Sequence, residues 1–210
     1  MTNILCYGDS NTWGYDPTRR SRYNELVRWP MALQRLLGDS YRVVEEGLNG
    51  RTTVWEDPVE GDKNGIRFLP TCLDSHSPLD LVIIMLGSND LKRRFSVDAF
   101  DVAQGLRRMI GLIRTHEYLP SAKTPKVCVV SPPRIGHLSG EMLAMFGPEA
   151  EAKSAGFTLF YSQVARDAGC LFFDAASVVE AGRQDCLHLS ETGHLRLAES
   201  FAELIRSSEF

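Results

Sequence analysis

The chain has 210 residues, of which 43% are hydrophobic and 24% are charged. These values lie near the average for globular domains and exclude a disordered, collagen-like or coiled-coil protein. Its 23 Lys and Arg residues against 27 Asp and Glu residues leave a net charge of −4, so no general basic field attracts nucleic acid or an anionic membrane. The length is that of one domain, and no repeat or low-complexity linker divides residues 1–210.

Neither a membrane segment nor a disulfide framework is predicted. The longest unbroken apolar stretch, residues 81–86, is far shorter than the ~18 residues that a bilayer-spanning helix requires. The first residues lack the basic start and apolar core of a signal peptide, so a cytoplasmic location is expected. The five cysteines are scattered without a C-x-x-C pair, which favours reduced thiols. No cofactor and no metal site is expected, because H-E-x-x-H and clustered His/Cys sets are absent from the sequence.

Five short apolar runs predict β-strands, at residues 3–7, 41–45, 81–86, 126–130 and 170–173. The third and fourth runs are almost wholly apolar, which is typical of central strands in a parallel sheet covered on both faces. Stretches with helical spacing lie between the runs. Their predicted buried faces are formed by Trp29, Leu33, Leu36 and Leu37, by Phe100, Ala103, Leu106, Ile110 and Ile113, and by Leu195, Ala198, Phe201 and Ile205. This alternation predicts an α/β fold, a doubly wound three-layer sandwich.

Polar clusters follow the predicted strands, at residues 8–11, 47–50, 87–90, 131–133 and 185–188. Because ligands bind beyond the carboxyl ends of parallel strands, these clusters are expected to meet at one edge of the sheet. Two segments rich in Gly and Pro, residues 51–79 and 132–150, show little helical or strand periodicity. We expect them to shape a pocket or a subunit interface.

Ser10 is a candidate nucleophile because it lies in the turn between the first strand and the next helix. A serine hydroxyl attacks only when a base accepts its proton; taken alone, this segment also fits a helix-capping serine. Asp185 and His188 can supply the base, because the carboxylate can fix the imidazole tautomer and leave the other nitrogen for Ser10. A surface Asp–His contact beside a helix start is the alternative.

Three further residues are candidates for substrate contacts. Asn89 follows the third strand, where its amide could donate to the oxyanion of a tetrahedral intermediate. Gly50 follows the second strand and could add a backbone N–H where a side chain would obstruct approach, with the Ser10 N–H as the other main-chain donor. Trp13 could form an apolar wall for a small acyl or aryl group, or it could pack the first helix against the sheet.

The remaining charged residues of interest are expected at the surface. Arg51 is interpreted either as a solvated residue or as a brace that pairs with a carboxylate near Gly50. The short basic clusters at residues 19–22 and 92–94 are expected in solvent-facing loops, because the chain as a whole is acidic.

The blocks Gly8-Asp9-Ser10, Gly50, Gly87-Ser88-Asn89-Asp90 and Asp185-x-x-His188 together resemble the four sequence blocks of the SGNH (GDSL-type) hydrolases. The resemblance spans nearly the whole chain. It implies a flavodoxin-like α/β/α sandwich with a five-stranded parallel sheet. It also implies a triad of Ser10, His188 and Asp185 and an oxyanion hole from Ser10, Gly50 and Asn89.

Longer stretches, at residues 8–14, 45–53 and 80–87, are similar to a bacterial subgroup of arylesterases and acyltransferases with perhydrolase activity. Members of that subgroup act on short acyl esters and assemble as oligomers, notably octamers, so the resemblance implies a homo-oligomer. Two positions depart from the usual pattern. Asn11 stands where Leu is more usual and could make the pocket more polar, and Ser88 stands where Thr is frequent.

The sequence therefore predicts a serine esterase that cleaves small aryl or short-chain acyl esters through an acyl-enzyme on Ser10. An acyltransferase or perhydrolase with the same acyl-enzyme is an alternative, and so is a carbohydrate acetylesterase. A third class is a flavodoxin-like module that binds a phosphate or a flavin, although G-x-G-x-x-G and the Walker lysine are absent and Asp9 would repel an anion. The expected partner is a small ester, with no nucleic acid and no membrane.

Overall fold

The computed structural model describes residues 1–208 and contains seven strands. They are β1 (Thr2–Gly8), β2 (Tyr15–Asp16), β3 (Ser21–Arg22), β4 (Tyr41–Gly47), β5 (Leu81–Met85), β6 (Lys126–Ser131) and β7 (Leu171–Asp174). Five of them form a parallel sheet in the order β4-β1-β5-β6-β7. β2 and β3 pair as a small antiparallel hairpin that was not predicted from the sequence.

Within residues 1–208, eight α-helices connect and cover the strands. They are α1 (Ser10–Trp13), α2 (Trp29–Leu37), α3 (Gly65–His76), α4 (Ala99–Thr115), α5 (Gly140–Phe146), α6 (Ala150–Ala155), α7 (Phe157–Asp167) and α8 (Glu191–Ser207). Short 3₁₀ turns lie at Asn89–Leu91, Arg93–Phe95 and Ala175–Ser177. None of the helices in residues 1–208 is long and apolar enough to cross a bilayer.

The sheet is covered on both faces, because successive side chains of a strand point to opposite sides. Val82 and Ile84 of β5 pack in one apolar cluster with residues of α3, α4 and α7. Leu81 and Ile83 of the same strand pack in a second cluster with residues of α2 and α8. The strand order is that of flavodoxin-like sheets. The predicted three-layer α/β/α sandwich with a five-stranded parallel sheet is therefore confirmed.

Three residues assigned to buried helix faces are instead exposed. Leu36 is 40% exposed, Phe100 is 51% exposed and Leu195 is 41% exposed. The other residues of the three predicted faces are buried, so the apolar stripe of each helix is narrower than predicted. The two irregular segments also contain regular structure, since α3 lies within residues 51–79 and α5 lies within residues 132–150.

Candidate active site

The turn that carries Ser10 is fixed by a capping carboxylate and by two glycines. Asp9 accepts the Asn11 N–H at 2.9 Å and so caps α1, whose first residue is Ser10. A Cβ atom at Gly8 would lie 2.0 Å from the Thr12 hydroxyl, and one at Gly47 would lie 2.1 Å from the Trp13 nitrogen. The close packing of α1 on the ends of β1 and β4 therefore requires glycine at both positions.

Ser10, His188 and Asp185 are joined in one line of hydrogen bonds. Ser10 Oγ lies 2.9 Å from His188 Nε2, and His188 Nδ1 lies 2.6 Å from Asp185 Oδ2. The other oxygen of Asp185 accepts the N–H groups of Leu187 and His188 at 3.1 and 3.0 Å. Burial of the Asp185 carboxyl tends to raise its pKa. The hydrogen bonds from His188 and the charge of its imidazole have the larger effect, so that the pKa of Asp185 is lowered. An ionised carboxylate holds the imidazole so that Nε2 faces the hydroxyl.

A cavity of about 240 Å³ lies beside this line, and Ser10, Gly50, Asn89 and His188 all line it. Asn89 Nδ2 donates to the Arg51 carbonyl at 3.2 Å, which holds the amide in place. Gly50 has φ of +80°, and a Cβ atom there would lie 2.4 Å from the Glu60 carboxylate. The structure thus brings together the predicted nucleophile, base and oxyanion donors, with Asp185 behind His188.

The cavity is lined by both apolar and polar side chains. Met142, Met145 and Phe146 of α5 line it together with Leu187 and Tyr15, and its polar lining includes Asn49, Glu60 and Lys92. Both irregular segments, residues 51–79 and 132–150, therefore contribute to the pocket, which was one of their two expected roles. Two larger clefts, of about 660 and 700 Å³, lie along residues 176–183 and include neither Ser10 nor His188.

Trp13 is not among the residues that line this cavity. Its carbonyl accepts a hydrogen bond from Arg22 at 2.7 Å, and the Arg22 guanidinium lies 5.1 Å from the centre of its ring. Tyr15, two residues further along, occupies the wall instead, and its ring centre lies 4.6 Å from that of His188. These contacts join Trp13 to Arg22 of β3, in the small antiparallel hairpin. No pattern in the sequence distinguished Tyr15.

Two basic residues are buried, although solvent exposure was expected for Lys92 and was one of two alternatives for Arg51. Arg51 is 4% exposed; its guanidinium donates to the carbonyls of Gly8 and Glu46 and lies 4.0 Å from the centre of the Tyr7 ring. Arg51 therefore braces strand ends through carbonyl groups, whereas solvent or a carboxylate was expected. Lys92 is 3% exposed and pairs with Glu60, and both residues line the cavity.

Two carboxylates are buried next to the site. Asp90 is fully buried and accepts the Thr53 N–H at 2.9 Å, and Asp9 is 2% exposed. Burial raises the pKa of Asp9 to about 6 and that of Asp90 to about 7, although hydrogen bonds from Asn11 and Thr53 oppose the change. Both carboxyls therefore take up a proton at a higher pH than an exposed aspartate does.

Residues 1–208 contain no group of three His, Cys, Asp or Glu side chains placed to hold a metal ion. His194 of α8 is fully buried, and its Nδ1 lies 3.4 Å from the Trp29 nitrogen. Burial lowers the pKa of His194 to about 3, so this imidazole stays neutral.

A hydroxyl, an imidazole and a carboxylate hydrogen-bonded in line are the arrangement that serine hydrolases use, and here they lie at the carboxyl edge of a parallel sheet. The chain belongs to the GDSL-like lipase/acylhydrolase family, whose model matches residues 6–196. The predicted membership of the GDSL-type hydrolases is therefore confirmed.

Solved structures of esterases superpose on almost the whole chain. The M. smegmatis aryl esterase is 37% identical, covers 99% of both chains and has a TM-score of 0.95. A carbohydrate acetylesterase family member from Sinorhizobium meliloti is 38% identical, covers 98% of both chains and has a TM-score of 0.94. An acetylxylan esterase of Xylanibacter ruminicola is 30% identical over 128 residues, which span 59% of this chain and only 24% of that esterase.

Proposed function

We propose that the protein is an esterase that hydrolyses small aryl or short-chain acyl esters through an acyl-enzyme on Ser10. The observation that carries this proposal is the 2.9 Å contact between Ser10 Oγ and His188 Nε2, with Asp185 on the other imidazole nitrogen. The similarity to an aryl esterase and to acetylesterases supports an ester substrate. The cavity of about 240 Å³ is below the range of sites for drug-sized ligands, which favours a small acyl group.

The reaction follows from these contacts in two steps. Ser10 Oγ attacks the ester carbonyl while its proton passes to His188 Nε2, and Asp185 stabilises the imidazolium. The Ser10 N–H, the Gly50 N–H and the Asn89 amide face the charge that develops on oxygen. Collapse expels the alcohol, which takes the proton from His188. A water molecule then attacks the acyl-enzyme in the same way and releases the acid.

The test uses 4-nitrophenyl acetate and an organophosphate. We expect a burst of nitrophenol equal to the enzyme concentration and covalent labelling at Ser10. Ser10→Ala and His188→Ala should each lose at least about 10³-fold in turnover, whereas His137→Ala, at a side chain that is 95% exposed, should match the wild type. Wild-type turnover in either site variant would refute the proposal.

A carbohydrate acetylesterase is the second candidate, and the polar residues that line the cavity favour it. Asn49, Glu60 and Lys92 place hydrogen-bonding groups beside the nucleophile, where they could contact sugar hydroxyls. Acetylated xylo-oligosaccharides should then be cleaved with a higher kcat/KM than 4-nitrophenyl acetate. The acyltransferase alternative stays a prediction, tested by the partition of the acyl-enzyme between water and added alcohol. The homo-oligomer also stays a prediction, tested by the particle mass in solution.

A further inference from the structure

The side chain of Asn11 contacts the chain on both sides of His188. Asn11 follows Ser10 directly and is 3% exposed. Its Nδ2 donates to the Leu187 carbonyl at 3.3 Å, and its Oδ1 accepts the Leu189 N–H at 2.8 Å. An amide carries both a donor and an acceptor, so this one side chain pairs two buried backbone groups of opposite kind. An apolar residue at position 11 would leave both groups without these partners.

The two segments that meet here are far apart in the chain. Ser10 and His188 are separated by 178 positions, so their spacing depends on contacts between residues 8–14 and residues 182–190. In the described part of the chain, hydrogen bonds between these segments are made only by the Ser10–His188 pair and by Asn11. Within the same described residues, Asp185 organises its own segment through Leu187 and His188 but forms no hydrogen bond to the Ser10 turn.

We infer that Asn11 is a positioning residue that sets the distance between His188 Nε2 and Ser10 Oγ. This inference rests on the proposed function. Its amide holds the backbone before and after His188 against the turn that carries Ser10. A displacement of about 1 Å between reacting groups can cost about 10²-fold in rate. The amide therefore governs the rate of Ser10 acylation and leaves the affinity for the ester largely unchanged.

The test is Asn11→Leu, which keeps a side chain of similar size and removes both polar atoms. The burst phase with 4-nitrophenyl acetate reports acylation, and organophosphate titration gives the concentration of competent sites. We expect the maximal burst rate per site to fall about 10- to 100-fold, while the ester concentration at half-maximal rate changes less than about 3-fold.

Gln34 offers a matched control. Its amide donates to the carbonyls of Gly38 and Tyr41 at 3.2 and 3.0 Å and accepts the Val43 N–H at 2.7 Å. This cluster lies at the start of β4, at the opposite end of the sheet from Ser10. Gln34→Leu removes the same kind of contacts and should lower stability, but it should acylate at the wild-type rate per site.

Equal burst rates in Asn11→Leu and Gln34→Leu would overturn the inference. If Asn11→Leu does not fold, Asn11→Asp decides, because it keeps the acceptor for Leu189 and loses the donor for Leu187. Acylation slower than wild type with unchanged half-maximal concentration supports the inference, and the wild-type rate contradicts it. Organophosphate labelling that persists in Ser10→Ala would instead refute the proposed function, so the two failures are distinguishable.

Discussion

Replacing Asp90 by asparagine should flatten the pH dependence of stability. Burial raises the pKa of the Asp90 carboxyl to about 7 in the folded chain, whereas an unfolded aspartate titrates near pH 3.9. Between these values the folded state binds more protons than the unfolded state. The free energy of unfolding therefore falls as the pH rises through this window, and the stabilising contribution is fully present only below about pH 4.

The size of the effect follows from the difference between the two pKa values. About three pKa units correspond to about 4 kcal/mol, which is an upper bound because part of the shift comes from the nearby Asp9 carboxylate, which itself titrates. The amide introduced by Asp90→Asn cannot ionise, yet its oxygen can still accept the Thr53 N–H and hydroxyl that the carboxylate accepts. Between pH 5 and pH 8 the free energy of unfolding of the wild type should therefore fall by up to about 2.5 kcal/mol more than that of the variant.

The measurement is urea unfolding of wild type and Asp90→Asn at several pH values from 5 to 8. Asp98→Asn is the control, because Asp98 is exposed and caps α4, a role that asparagine fills equally well. The control removes a negative charge without touching the buried site. Parallel stability curves for Asp90→Asn and wild type across this range would refute the reasoning.

Two further predictions concern the cavity. Asn89→Ala should lower kcat/KM for 4-nitrophenyl acetate by about 10²- to 10³-fold, since an oxyanion donor is lost; a loss below about tenfold would contradict that role. Phe146→Ala should raise kcat/KM for hexanoyl relative to acetyl esters by about 4-fold for each added methylene that the enlarged cavity buries. Phe100→Ala, at an exposed ring on α4, is its control, and an unchanged chain-length preference would contradict the wall assignment.

The strands of the parallel sheet could be predicted because each coincides with a short run of apolar residues. β5 is buried along its whole length, and its sequence shows this directly. α3 was missed because Pro70 and the neighbouring glycines obscure its pattern. A signal was present: Asn64 caps α3 by accepting the Ile66 N–H at 3.2 Å, and Leu69 and Leu73 repeat at helical spacing.

The buried charged residues around the cavity could not be predicted from the sequence, whereas the candidate nucleophile and base could. Ser10 and His188 follow from local patterns, since Ser10 lies in the turn after β1 and His188 lies just before α8, three residues after Asp185. Lys92 lies buried because Glu60, 32 positions away, pairs with it. Arg51 lies buried because carbonyls at the ends of two strands accept its hydrogen bonds. Such partners are set by tertiary packing, which local spacing does not encode.

The two buried carboxylates at this edge of the sheet both accept main-chain N–H groups. Asp9 caps α1 and so fixes the turn that presents Ser10. Asp90 binds the Thr53 backbone, two residues beyond Arg51, whose carbonyl accepts the Asn89 amide. Each carboxylate therefore orders one side of the cavity, and a group that accepts main-chain N–H donors is required in both places. The destabilisation predicted for ionised Asp90 follows from placing these acceptors where water cannot solvate them.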